Sequence, residues 1–116
     1  MKISEIRTLL DATLLSGEEF LESEVASACC SDMMSDVLAY VKDQGLLITG
    51  LINPQVIRTA NMMDMICIVF ARGKAPTDEM ISLAKECGIA VMATKKRAFE
   101  ACGALYSAGL SKKLKD

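Results

Sequence analysis

Leu47, Val69 and Val91 lie 22 residues apart, each inside a short apolar run that closes on small, polar or basic residues ahead of a helix-like stretch. The runs extend from Gly45 to Gly50, from Met65 to Gly73 and from Ile89 to Lys95. None of them alternates polar with apolar residues, so a strand made from any of them must be buried on both faces, as in a parallel sheet covered by helices. The repeated unit predicts a three-layer α/β/α, Rossmann-like domain with a mostly parallel sheet of about five strands. In such sheets ligands bind beyond the carboxyl ends of the strands, which makes the polar residues closing each run the first candidates for function.

The flanking segments fit the same plan. Ile3, Ile6, Leu9 and Leu10 predict a short amphipathic helix, and Ala12 to Ser16 a first strand ending at Gly17. An acidic connection over residues 18–23 leads to a second strand from Glu24 to Cys30. Ser31 or Asp32 then caps a helix with Met34, Val37, Leu38 and Val41 on its inner face, ending at Gln44-Gly45. Asn53-Pro54 supplies an N-cap and a first helical residue for a helix with the stripe Val56, Ala60 and Met63. Pro76, Thr77, Asp78 and Glu79 open a helix that buries Met80, Ala84 and Cys87 and stops at Gly88. The last helix turns Ala98, Phe99, Cys102, Leu105 and Tyr106 inward and ends near Gly109. The eight methionines read as gap-filling core residues. The 116 residues form a single domain with its core at about 3–110 and a basic tail, Lys112, Lys113 and Lys115, at 111–116.

Composition removes several classes of function. The chain has no histidine, so Ser-His and Cys-His nucleophile pairs and histidine-ligated zinc are excluded. A net charge of -2 argues against nucleic acid as a partner. Glu18, Glu19, Glu22 and Glu24 interrupt any signal-like segment, and no apolar run approaches membrane-spanning length, so no membrane partner and a cytoplasmic location are expected. Five irregularly spaced cysteines fit a reducing compartment. Cys67, Cys87 and Cys102 read as core thiols. Cys29-Cys30, at a strand-to-helix turn, reads as partly exposed with a lowered thiol pKa.

At the strand ends, Arg72-Gly73-Lys74 resembles the close of a P-loop, but Ile68 stands where its first glycine is needed and Ala75 replaces the magnesium-binding hydroxyl. No dinucleotide glycine fingerprint follows any strand. What remains is a set of hydroxyls, glycines and cations at equivalent positions: Ser31 and Asp32 at one helix start, Thr49, Gly50 and Asn53 at the next, then Arg72, Gly73 and Lys74, then Thr94 and Lys95. Their amides and charges suit a phosphate or other small anion, and they serve equally well as caps and solvated loops. Asp32 reads as an N-cap rather than a general base, and Arg58 as a solvated helix residue. No resident cofactor or metal is expected.

Ser31-Asp32-Met33-Met34-Ser35-Asp36-Val37-Leu38, Leu47-Ile48-Thr49-Gly50 with Asn53-Pro54-Gln55-Val56-Ile57-Arg58-Thr59-Ala60, and Arg72-Gly73-Lys74-Ala75-Pro76 together resemble a DRTGG domain, from about Ile3 to Leu110. Stand-alone DRTGG proteins of anaerobic bacteria are also similar at Phe99-Glu100-Ala101-Cys102-Gly103-Ala104-Leu105-Tyr106. The family's nominal pentapeptide is absent, its nearest counterpart being Ala71-Arg72-Gly73-Lys74-Ala75. The same domain forms the N-terminal part of HPr serine kinase/phosphatases and occurs in phosphotransacetylases and CBS-domain pyrophosphatases. The kinase P-loop domain is missing here, so the resemblance implies a non-catalytic regulatory or ligand-sensing module and no enzyme. It further implies a homodimer that binds a nucleotide or other small anion and acts through a partner enzyme or signalling protein in anaerobic energy or redox metabolism. Two alternatives stay open: an interaction scaffold without ligand, and a cysteine-based redox or iron–sulfur protein using Cys29, Cys30 and Cys102.

Overall fold

The structure, a computed structural model, describes residues 1–40 and 45–110. Its strands are β1 Thr13–Ser16, β2 Ala28–Cys30, β3 Leu46–Thr49, β4 Cys67–Phe70 and β5 Ala90–Ala93, and its helices α1 Ile3–Leu10, α2 Met34–Tyr40, α3 Gln55–Met62, α4 Asp78–Cys87 and α5 Ala98–Leu105. The five strands form one sheet in the order β1-β5-β4-β3-β2. β2 to β5 are mutually parallel, and β1 closes one edge antiparallel to β5. Every residue of β3 and β4 is buried, as the absence of alternation requires. Leu46, Ile48, Cys67, Val69, Ala90 and Met92 pack under α1 and α5, while Leu47, Ile68, Phe70 and Val91 pack under α2, α3 and α4. The three-layer expectation is met.

Strand register adds a detail to the 22-residue spacing. Leu47 pairs with Ile68 and Ile68 with Val91, so Val69 sits one step along and faces the opposite helix layer. Helix ends follow their local chemistry. Thr77 Oγ1 accepts the Met80 amide at 3.2 Å to cap α4, and Gly88 ends that helix in the left-handed conformation. Asn53 Oδ1 accepts the Gln55 amide at 2.8 Å, and Pro54 already has helical φ and ψ. Val56 and Ala60 face inward with Ile57, and Met80 and Ala84 do so on α4.

Three expectations need correction. The second strand is confined to Ala28–Cys30, because the segment before it is bound elsewhere. Glu24 bridges Lys2, the Met1 ammonium donates to Glu24 Oε2 at 2.9 Å, and the Val25 amide donates to Met1 O at 2.7 Å. The last helix is also phased differently. Ala101 and Leu105 are its buried residues, whereas Phe99 is 89% exposed and Tyr106 70%. A segment apolar on nearly all sides gives no stripe from which a facing can be read. Leu9 and Leu38 are exposed rather than inward, although their neighbours Ile6, Leu10 and Val37 are fully buried. Val41, Gln44 and the tail 111–116 lie outside the described residues. No described helix is long and apolar enough to cross a membrane.

Gly17 turns the chain at the end of β1 with φ +88°, and a Cβ there would lie 2.5 Å from Ala90 Cα. Gly103, on α5, has nothing within 4 Å of its Cβ position. Alanine should therefore act with opposite sign at the two sites. Gly17→Ala is expected to destabilise by about 2 kcal/mol through strain and overpacking, and Gly103→Ala to stabilise by roughly 0.5–1 kcal/mol through helix propensity. Urea unfolding midpoints at constant m-value measure both.

Candidate functional site

The carboxyl ends of β2, β3 and β4 meet in one hydrogen-bonded cluster. Asp32, two residues beyond β2, places Oδ1 2.8 Å from the Gly50 amide and 3.0 Å from Thr49 Oγ1. Its Oδ2 lies 3.2 Å from an Arg72 guanidinium nitrogen. Gly50 admits this arrangement by having no side chain, since a methyl group there would overlap the Arg72 guanidinium. Asp32 is therefore neither an N-cap nor a base beside a nucleophile: its carboxylate reaches across two strand ends.

Arg72 is held by an unusual backbone. It has φ +63° and is followed by Gly73 at φ +71°, and the Lys74 amide closes the turn on Ala71 O at 3.2 Å. These are the central φ values of a type I′ turn. A non-glycine residue in the left-handed region costs roughly 1–2 kcal/mol. The surrounding bonds hold it there: the Arg72 amide donates to Lys96 O at 2.8 Å and the Gly73 amide to Thr94 O at 3.0 Å. The Arg72–Lys74 turn is thus laced to the loop after β5, which carries Lys95, Lys96 and Arg97. Lys74 and Lys95 are exposed on these neighbouring loops.

The other expected contacts are placed less centrally. Ser31 uses its hydroxyl within its own turn, accepting the Met33 amide at 3.0 Å. Asn53 caps the start of α3. Thr94 is buried and donates to Leu10 O at 2.7 Å, joining α1 to the end of β5, so its hydroxyl has a structural role. Of the expected set, Asp32, Thr49, Gly50 and Arg72 converge directly, and Gly73, Lys74 and Lys95 border them. The part played by the Lys96 carbonyl, which accepts the Arg72 amide, was not singled out from the sequence, although Lys96 adjoins Lys95. Arg58 is exposed on α3, as expected.

The electrostatics follow from the donors. The Gly50 amide is the largest influence on Asp32 and holds its carboxyl below the ordinary 3.8, with Thr49 and Arg72 adding to that effect and partial burial opposing it. The Arg72 and Asp32 side chains are 47% and 52% exposed, so water screens their direct attraction and the pair is readily parted.

Cys67 is buried and Cys29-Cys30 partly exposed, as expected, but the thiol pKa values of that pair depart from expectation. Cys30 is exposed at the sheet edge, yet packing around its sulfur, together with the Cys102 thiol, pushes its pKa up to about 12. Burial and then Asp36 raise that of Cys29. The lowered thiol pKa expected from a nearby helix start is overturned by desolvation and anionic neighbours. Among the described residues, no three His, Cys, Asp or Glu side chains are grouped so as to hold a metal ion. An open cleft of about 620 Å³, lined by Ala26, Asn61, Asp64, Met65, Ile66, Cys87 and Gly88, lies at the amino ends of the strands, away from the Asp32 cluster.

A mostly parallel sheet sheathed by helices, with polar and cationic loops gathered at its carboxyl edge, defines an α/β/α domain. The DRTGG domain model matches residues 5–108, and the chain belongs to that family. A solved structure of similar fold is the CBS and DRTGG regulatory region of Clostridium perfringens pyrophosphatase, complexed with its activator diadenosine tetraphosphate. The TM-score is 0.73 at 19% identity, over 90% of this chain and 45% of that one. This chain therefore spans less than half of that regulatory region. No curated protein sequence matches the chain.

Two measurements test the cluster. In a carboxyl NMR titration, Asp32 should titrate below 3.8, and Arg72→Gln should raise its pKa while leaving it depressed, because the Gly50 amide is the larger cause. A depressed folded pKa contributes stability above the unfolded value, near 3.9, that is lost as pH falls through the folded pKa, so Asp32→Asn should flatten the acid limb of stability below about pH 4. Iodoacetamide at pH 8 should alkylate Cys30 in the folded chain at least about tenfold more slowly than in the urea-unfolded chain.

Proposed function

We propose that the chain is a non-catalytic regulatory module that senses a small phosphorylated ligand, a nucleotide in the first instance, at the carboxyl edge of its parallel sheet. The observation that carries this reading is the convergence of the Gly50 amide, the Thr49 hydroxyl and the Arg72 guanidinium, with Lys74 and Lys95 on the bordering loops. Amide, hydroxyl and guanidinium donors gathered at strand ends suit phosphate oxygens, and lysines alongside favour the dianionic form. The regulatory character is supported by the family and by the activator-bound pyrophosphatase region of similar fold. Ligand would act by preferring one conformer or dimer arrangement, thereby biasing a partner enzyme. The partner we propose is an enzyme of anaerobic energy or redox metabolism, and the working form a cytoplasmic homodimer.

A catalytic role has little to build on: the chain has no histidine, and the Asp32 carboxylate is engaged by three donors. The raised thiol pKa values of Cys29 and Cys30 disfavour the redox alternative, since attack on a disulfide requires thiolate. The scaffold alternative draws on one observation, the exposure of Phe99 and Tyr106 on α5 and its continuation.

Thermal unfolding against mono-, di- and dinucleoside polyphosphates separates sensor from scaffold. A ligand at 100 times its dissociation constant should stabilise the wild type by about 2.7 kcal/mol, and Arg72→Gln should abolish most of that gain. No stabilisation by any nucleotide, with retained association through α5 in gel filtration, would favour the scaffold.

A further inference from the structure

The donors proposed to receive a phosphoryl group already hold an anion. Gly50 N–H, Thr49 O–H and Arg72 converge from two strand ends upon a single carboxylate at 2.8, 3.0 and 3.2 Å, and that carboxylate arrives from a third strand at the edge of the sheet. We infer that Asp32 is a built-in competitor, an internal anion that occupies the ligand site in the unliganded chain and is displaced when a phosphoryl ligand binds. This rests on the anion-sensing reading of the edge and adds to it a threshold and a route of transmission.

Geometry carries the inference in three ways. The donor set is one that a phosphate oxygen takes as readily as a carboxylate oxygen, namely a backbone amide, a hydroxyl and a guanidinium. Both charged side chains are about half exposed, so exchange of one anion for another needs no unfolding. Finally, Asp32 lies two residues ahead of α2, with only Met33 between them, whereas its donors lie at the end of β3 and in the loops that follow β3 and β4. Displacing the carboxylate removes the side-chain tie between the start of α2 and those strand ends, leaving the Ser31 amide on Ile48 O as a pivot, so occupancy of the site is passed to one helix. The depressed pKa of Asp32 is consistent with this role, since it keeps the competitor ionised at neutral pH.

Self-occupancy has a quantitative consequence. If Asp32 fills the site for about nine-tenths of the time, the apparent affinity for an external anion is reduced about tenfold, because only the open fraction is competent. The module would then ignore trace phosphate and respond to ligands that add contacts at Lys74 and Lys95.

Calorimetric titration with inorganic pyrophosphate at fixed ionic strength tests this on four chains: the wild type, Asp32→Ala, Asp36→Ala and Asp32→Ala/Arg72→Gln. Asp32→Ala should bind pyrophosphate about tenfold more tightly than the wild type. Asp36→Ala makes the same change in net charge from an exposed position on α2 outside the donor cluster, and should stay within about twofold of the wild type. The double variant should lose the gain. Asp32→Asn, which preserves size, replaces Asp32→Ala if circular dichroism shows the latter unfolded. Equal or weaker binding by the Asp32 variant, or an equal gain in Asp36→Ala, overturns the inference. Nucleotide binding by the wild type that weakens on Asp32 replacement would overturn the competitor role alone and leave the sensor standing. Tight pyrophosphate binding confined to the Asp32 variant would support the competitor and leave the sensor to be judged by nucleotide titration of the wild type, and binding of neither pyrophosphate nor nucleotide by any of the chains would overturn both.

Discussion

Two-sided burial of β3 and β4 is the constraint from which the rest of the structure follows. A strand with no solvent-facing side must be covered above and below, which sends α1 and α5 to one face and α2, α3 and α4 to the other. With both faces committed to apolar packing, polar chemistry has room only where strands end and loops begin. The carboxyl edge collects it because each parallel strand delivers its loop there. Asp32, the Thr49-Gly50 pair and Arg72 are distant in sequence and meet only because β2, β3 and β4 end side by side.

Much of this architecture was legible from residues alone, for reasons that can be named. Uninterrupted apolar runs mark β3, β4 and β5 because central parallel strands tolerate no polar alternation. Thr77 and Gly88 mark the ends of α4 because a side-chain cap and a left-handed terminus each demand particular residues. The errors arose where long-range partners decide the outcome. Glu24 and Val25 have strand-like composition but are claimed by Met1 and Lys2. The facing of α5 was hidden because nearly every position on it is small or apolar, and α1 rather than periodicity selects Ala101 and Leu105.

The site divides in the same way. That Asp32, Thr49, Gly50 and Arg72 belong to strand ends could be read from position. That Asp32 would turn from its own helix to join the other three could not, because an aspartate before a helix has the local signature of a cap whatever it bonds to. The left-handed Arg72 is equally silent in sequence, since a type I′ turn ordinarily announces itself by Asn or Gly at that place. Local rules fail at Asp32 and Arg72, the two residues that make the edge chemically distinctive, because each is set by partners on other strands.

The antiparallel pairing of β1 with β5 has a further consequence, for the order of assembly. β2 to β5 can join as successive strand–helix units, each adding to the one before, but β1 has no partner until the fifth strand is in place. The Thr94–Leu10 hydrogen bond spans 84 residues and is formed at the same stage. Pairings so distant in sequence carry the largest loop-closure entropy and raise the contact order that slows folding, whereas the start of α1 is already tied locally to residues 21–25. The outer edge of the sheet is thereby closed by the strand pairing most distant in sequence.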